Sequence, residues 1–173
     1  MAKTAIRIDL IKPEYKENFI RGDIQHLPFK TGFADLITLR FVVEHFDNPS
    51  KYIDELNRIV KPGEKIIILT TNILSPFIFL PKVFLPQSIK SRLLIKIFKV
   101  QDNAIFPTYH RLNSPYKFEK LKSVYKINRI QFISDLNYTR KSMFLLLLIW
   151  HLITKPKFLN KLRTNLLVVL KKI

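Results

Sequence analysis

Asp9, Asp23 and Arg40 are spaced as ligand-holding residues would be. Asp9 sits near the end of the run Ala5–Leu10, Asp23 follows Asn18–Arg21 and Gly22, and Arg40 follows the apolar, β-branched run Asp35–Leu39. Runs of this kind read as short strands. Ligands of parallel sheets bind beyond the carboxyl ends of the strands. The spacing therefore predicts that Asp9, Asp23 and Arg40 lie along one edge of a sheet, the edge where a ligand would sit. Further on, Tyr109, His110 and Arg111 set an aromatic ring beside two basic groups, and His45 follows Glu44. These four are the candidate substrate-side residues. Each also has a plainer reading: Asp23 after Gly22 suits a turn, a single His is weak grounds for a general base, and Tyr109–Arg111 suits a surface loop.

Other chemistries are excluded by what the chain lacks. There is no cysteine, so there is no disulfide framework, thiolate zinc site or cysteine nucleophile. His26, His45, His110 and His151 show no metal-ligand spacing. The three glycines, Gly22, Gly32 and Gly63, lie too far apart for a phosphate-cradling loop. No nucleophile–His–acid constellation stands out.

The elements that must position these residues alternate between strand and helix. Asn48 can cap a helix with Pro49 at its first position. Tyr52, Ile53, Leu56, Ile59 and Val60 then fall on one face of a 3.6-residue period. Lys61-Pro62-Gly63 ends that helix and Lys65–Thr71 (KIIILTT) follows as an apolar strand. Such strand–helix–strand units favour a parallel sheet with helices on its faces. Later, Asn113 or Ser114 caps a helix that begins at Pro115 and carries Tyr116 and Leu121. Lys126–Ile133 and Leu166–Leu170 read as closing strands of the same sheet.

A chain of 173 residues suffices for one domain with a real core. Its charge is uneven. Residues 1–72 hold 11 Lys/Arg and 10 Asp/Glu, a net of +1, whereas residues 73–173 hold 19 and 3, a net of +16. That excess favours an anionic partner, membrane or nucleic acid. Met143–Ile153 is apolar but 11 residues long, against about 20 for a membrane span. It reads as a buried or interfacial helix. Ile73–Leu85 is apolar too, interrupted by Pro76, Pro81 and Lys82. The N-terminus carries no long apolar run of the signal-peptide kind.

The run Arg21-Gly-Asp-Ile-Gln-His-Leu-Pro-Phe-Lys-Thr-Gly-Phe-Ala-Asp-Leu-Ile resembles the class I S-adenosylmethionine-dependent methyltransferases, most of all the type 11 group. Val43-Glu44-His45, the helix Pro49–Val60 and Lys61-Pro62-Gly63 continue that pattern, over about residues 5–72. Weaker echoes follow at Phe106–Pro115 and Leu162–Leu166, the latter like the family's closing antiparallel hairpin.

The resemblance implies an α/β fold: a Rossmann-like methyltransferase sheet with helices on both faces, in one domain over 1–173. Residues 1–72 would form the cofactor side, 73–124 a basic apolar cap and 125–173 the closing strands and helix. It implies S-adenosyl-L-methionine as cofactor. Asp9 would accept hydrogen bonds from both ribose hydroxyls, Asp23 would bond the adenine amino group with the backbone of Ile24 beside it, and Arg40 would line the pocket. The family more often has a small residue where Arg40 stands, and Glu64 replaces a common second glycine after Gly63. The family's first strand and Gly-rich loop would precede Ala5, so the sequence resembles an N-terminally truncated member. The expected activity is methyl transfer to a small or membrane-associated, lipid-linked acceptor, with no metal. The expected location is cytoplasmic, with peripheral contact to anionic membrane and nucleic acid as the weaker partner. The competing expectation is an inactive methyltransferase fragment acting as a basic membrane-surface or nucleic-acid binding module.

Overall fold

The computed structural model describes residues 4–10, 18–86, 106–136 and 140–173, together with Ile89 and Arg92. The remainder of the expected cap, within 87–105, lies outside the described residues. The elements are β1 (Arg7–Asp9), β2 (Phe19–Arg21), β3 (Ala34–Arg40), α1 (Pro49–Ile59), β4 (Val60–Thr71), α2 (Pro76–Phe84), α3 (Pro115–Glu119), β5 (Tyr125–Ile133), α4 (Lys141–Ile153) and β6 (Asn165–Lys172). Short 3-10 turns cover Val43–His45 and Asn160–Leu162.

These strands form two sheets rather than the single sheet expected. β1 and β2 pair in parallel, with Asp9 opposite Arg21. The larger sheet runs β3-β4-β6-β5. β3 and β4 are parallel, and β6 enters antiparallel between β4 and β5. The division has a physical cause. β1 and β2 are three residues each, and what fastens them to the rest is not a ladder but the loop that follows β2. Arg58 of α1 donates from Nη1 to the Phe29 carbonyl (2.6 Å) and from Nη2 to the Leu27 carbonyl (3.1 Å). Glu55 accepts from the Leu27 amide at 2.8 Å and grips Arg58 through both carboxylate oxygens. The rigid guanidinium fork meets two carbonyls and a carboxylate at once, which makes such clamps specific in geometry.

The core lies on one face of the larger sheet. Leu39, Ile66, Ile68, Leu166, Val168 and Leu170 are buried there in register, under Tyr52, Ile53 and Leu56 of α1. The 3.6-residue period of α1 holds as read from sequence. Its start differs: Pro49 takes the first position, but the Asn48 side chain makes no capping bond. The Asp47 carboxylate instead accepts from the Asn48 amide at 2.7 Å and from the Tyr52 hydroxyl at 3.1 Å. β4 begins at Val60, earlier than Lys65, because Lys61–Glu64 bulge out between the β3 partners Ala34 and Leu36. Gly63 makes that turn possible at φ +79°, a conformation side chains rarely adopt.

The second half departs further. α3 is one short turn. Its core residue is Phe118, whereas Tyr116 is 69% exposed and Leu121 lies past the helix end. Met143–Ile153 is helical as expected, yet only Leu147 of α4 is fully buried. Among the described residues no helix is long and apolar enough to cross a membrane.

Candidate functional site

β1 and β2, being parallel, end on the same edge. Asp9 is the last residue of β1, and Gly22, just past β2, donates its amide to the Asp9 carbonyl at 3.1 Å. Asp23 follows directly. Its Oδ1 accepts from the Gln25 amide at 2.9 Å, closing a local turn that aims the chain into the clamped loop. Ile24 packs against the core and Asp9 and Asp23 remain exposed. The Gln25 side chain reaches α1, donating from Nε2 to the Tyr52 hydroxyl at 2.9 Å. Burial pushes the Tyr52 hydroxyl pKa up to about 12, with the Asp47 carboxylate adding to it.

Arg40 ends β3, also at a carboxyl end, but in the other sheet. Its guanidinium lies 5.8 Å from the centre of the Phe41 ring. Asp9 and Asp23 are thus brought together by hydrogen bonding, while Arg40 shares the edge type without sharing their sheet. Phe41 adopts φ +53° and is held there by the hydrogen bond its amide donates to the Leu69 carbonyl, 2.8 Å. A bulky residue in the left-handed region is an outlier, and such strain concentrates at functional sites.

A polar network, invisible in the spacing, closes the carboxyl end of β4. Glu44 is 4% exposed, and its Oε2 accepts from the Thr70 hydroxyl at 2.8 Å. Burial holds the Glu44 carboxyl above the ordinary carboxylate range, against its backbone hydrogen bond, the Thr70 hydroxyl and the charge of His45. Asn113 donates from Nδ2 to Thr70 Oγ1 at 2.7 Å and to the Thr71 carbonyl at 3.0 Å. The Glu44 carbonyl accepts the amides of Tyr109 and His110. Neighbouring Asn72 is fully buried and donates to the carbonyls of Lys161 and Arg163, 2.9 and 2.7 Å. Thr70, Asn72 and Asn113 were missed because nothing in a lone Thr or Asn distinguishes a buried anchor from a surface residue.

This network fixes the wall of a cavity of about 710 Å³. Tyr109, His110 and Arg111 all line it, with Lys82, Lys117 and Lys120; Asp54 is the one acid. Three of the four candidate substrate-side residues are therefore gathered at one place. His45 is not among the lining residues. Its Nδ1 lies 2.8 Å from the Pro107 carbonyl and its ring meets Phe106 edge-on, so it serves to seat that segment.

Residues 2–68 match the methyltransferase domain family. A demethylmenaquinone methyltransferase of Lactiplantibacillus plantarum is 35% identical over 52 residues, which are 30% of this chain and 22% of that protein. Norajmaline N-methyltransferase of Rauvolfia serpentina is 39% identical over 57 residues, 33% of this chain and 20% of that protein. The matched segments thus span about a fifth of these curated relatives. A crystal structure of an S-adenosylmethionine-dependent methyltransferase from Mesorhizobium loti superposes with a TM-score of 0.57 at 11% identity, covering 95% of this chain and 78% of that one. Residues 2–68 carry the methyltransferase-domain pattern, and the chain as a whole takes the Rossmann-like fold of the S-adenosylmethionine-dependent methyltransferases.

Proposed function

We propose that the chain binds S-adenosylmethionine at the carboxyl ends of β1 and β2 and directs its methyl group to a small or membrane-associated acceptor. The observation that carries this reading is the placement of Asp9 and Asp23 on adjacent parallel strand ends, inside the segment that matches the methyltransferase domain. The donor set fits the nucleoside end of the cofactor. Two exposed carboxylates accept hydrogen bonds, and a nucleoside offers ribose hydroxyls and an exocyclic amine to donate them. Asp9 would hold the hydroxyls, and Asp23 the amine with the Ile24 backbone alongside. Arg40 would border the pocket from β3. When bound, the cofactor would supply a methyl carbon made electrophilic by its sulfonium, the S–CH3 bond breaking to leave S-adenosylhomocysteine as the acceptor gains the methyl group.

The protein's part is then alignment more than proton chemistry. A base is needed only where the acceptor must lose a proton. The curated relatives are named for different acceptors, demethylmenaquinone and norajmaline. The acceptor class here is inferred from the cavity instead. Its volume is in the range of small-molecule sites, and its cationic lining favours an acceptor with an anionic group.

Calorimetric titration with S-adenosylhomocysteine tests the reading. Saturable binding is expected, weakened about tenfold or more in Asp9→Ala, since hydrogen bonds to a charged group are worth about 1.5–3 kcal/mol. A folded sample that binds nothing, or an Asp9→Ala variant that binds as the parent does, would overturn it.

A further inference from the structure

We infer that α2 and α4 form a docking surface for an anionic lipid bilayer. The two helices are neighbours: the Phe77 and Trp150 rings meet edge-to-face with centroids 5.3 Å apart. Away from that contact both are apolar and exposed. No residue of α2 is buried. Phe79 and Val83 are about half exposed and Phe84 is 71% exposed. On α4, Leu145, Ile149, Leu152 and Ile153 are exposed at helical spacing, which makes one continuous stripe opposite buried Leu147. Phe158, just past α4, is 73% exposed.

The charges that α2 and α4 themselves carry, and those of the segment after α4, are of one sign. Lys141 opens α4, and Lys155 and Lys157 follow it; neither α2 nor the stretch from Arg140 to Lys172 contains an acid. Large aliphatic and aromatic side chains rimmed by lysine match a bilayer interface, where apolar groups enter the acyl boundary and cations meet anionic headgroups. α4 has 13 residues, about 20 Å of helix, too short to span about 30 Å of hydrocarbon. It would lie in the interface rather than cross it.

Charge complementarity selects this occupant over the others. A second copy would bring the same cations to the same face and be repelled. A nucleic acid would meet the lysines but leave the Phe, Leu and Ile side chains without an apolar partner. Lys82 belongs both to α2 and to the cationic cavity, and its Nζ donates to the Tyr109 carbonyl at 3.3 Å. The docking surface therefore adjoins the mouth of that cavity.

The test is co-sedimentation of the full chain with phosphatidylcholine vesicles and with phosphatidylcholine–phosphatidylserine vesicles. Binding to the anionic vesicles only is expected, and it should fall as salt rises. Phe84→Ser with Ile149→Ser should lower partitioning about tenfold or more. Lys155→Gln and Lys157→Gln should lower it about fivefold each. All these positions are exposed, and far-UV circular dichroism confirms that the variants stay folded. Equal sedimentation with neutral vesicles, or none with either, overturns the inference. So does a Phe84→Ser/Ile149→Ser variant that binds like the parent. Lipid-independent dimers abolished by Phe84→Ser would assign the face to a second copy. Salt-sensitive binding to duplex DNA with no vesicle binding would assign it to nucleic acid. Neither result bears on cofactor binding, so this inference and the methyl-transfer reading fail separately.

Discussion

Glu44 is the residue whose chemistry departs most from its type. Desolvation raises its pKa, so the folded chain holds a proton there that the unfolded chain has already released at the same pH. The associated stability is fully present below the unfolded carboxyl pKa, about 4.3, and is lost as pH rises through the folded value. Glu44→Gln keeps an acceptor for the Thr70 hydroxyl and removes the titration. Denaturant melts of both proteins from pH 4 to pH 7 should show the parent losing stability relative to Glu44→Gln as pH rises. A constant difference across that range would mean that Glu44 ionises normally. The strained residues at this scale, Phe41 and His110, both take positive φ and carry no glycine to announce it. Their conformations are imposed by neighbours. Phe41 is held by Leu69, and the Glu44 carbonyl receives the amides of both Tyr109 and His110, so no local signal in the sequence marks them.

Among the elements, the strands and α1 were legible where pattern and tertiary packing agree. The period of α1, its Pro49 start and the apolar runs of β3, β4 and β6 all lie within a few residues of where composition places them. Two local rules failed. The Asn48 side chain makes no capping bond, and the side-chain acceptor at the start of α1 is Asp47, which takes the Asn48 amide and the Tyr52 hydroxyl. The helix expected from Pro115 stops at Glu119, short of Leu121, and its one buried residue is Phe118, in a helix too short to display a period. The joint between β4 and β6 depends on Asn72, whose two donated bonds tie the β4 end to the turn that precedes β6. Asn72→Ala would leave the carbonyls of Lys161 and Arg163 without this donor, beside a position that is itself fully buried. An unfolding free energy lower by about 1–3 kcal/mol is expected from denaturant titration, the range for buried groups left unsatisfied. A change below about 0.5 kcal/mol, the size typical of surface substitutions, would mean the joint is held otherwise.

At the scale of the whole molecule, charge and fold divide the chain into unlike halves. The nearly neutral first part supplies the paired strand ends and one side of the cavity through α1, and the cationic second part supplies the cavity's cations and the exposed helices. The charge division was plain in the sequence. The gathering of Tyr109, His110 and Arg111 beside Lys82 was not, because it depends on Asn113 and Glu44 folding a distant segment against β4. The separation of β1–β2 from the larger sheet was equally hidden, since strand runs do not disclose which partners they take. What unites the halves is a proposed division of labour, cofactor on one side and acceptor on the other. Backbone amide chemical shifts, followed by NMR while S-adenosylhomocysteine is titrated into the chain, address that division directly. Cofactor binding at the ends of β1 and β2 predicts the largest shifts at Asp9, Gly22, Asp23 and Ile24, with smaller ones at Tyr109–Arg111. Shifts confined to the cationic cavity, or none at the two strand ends, would contradict it.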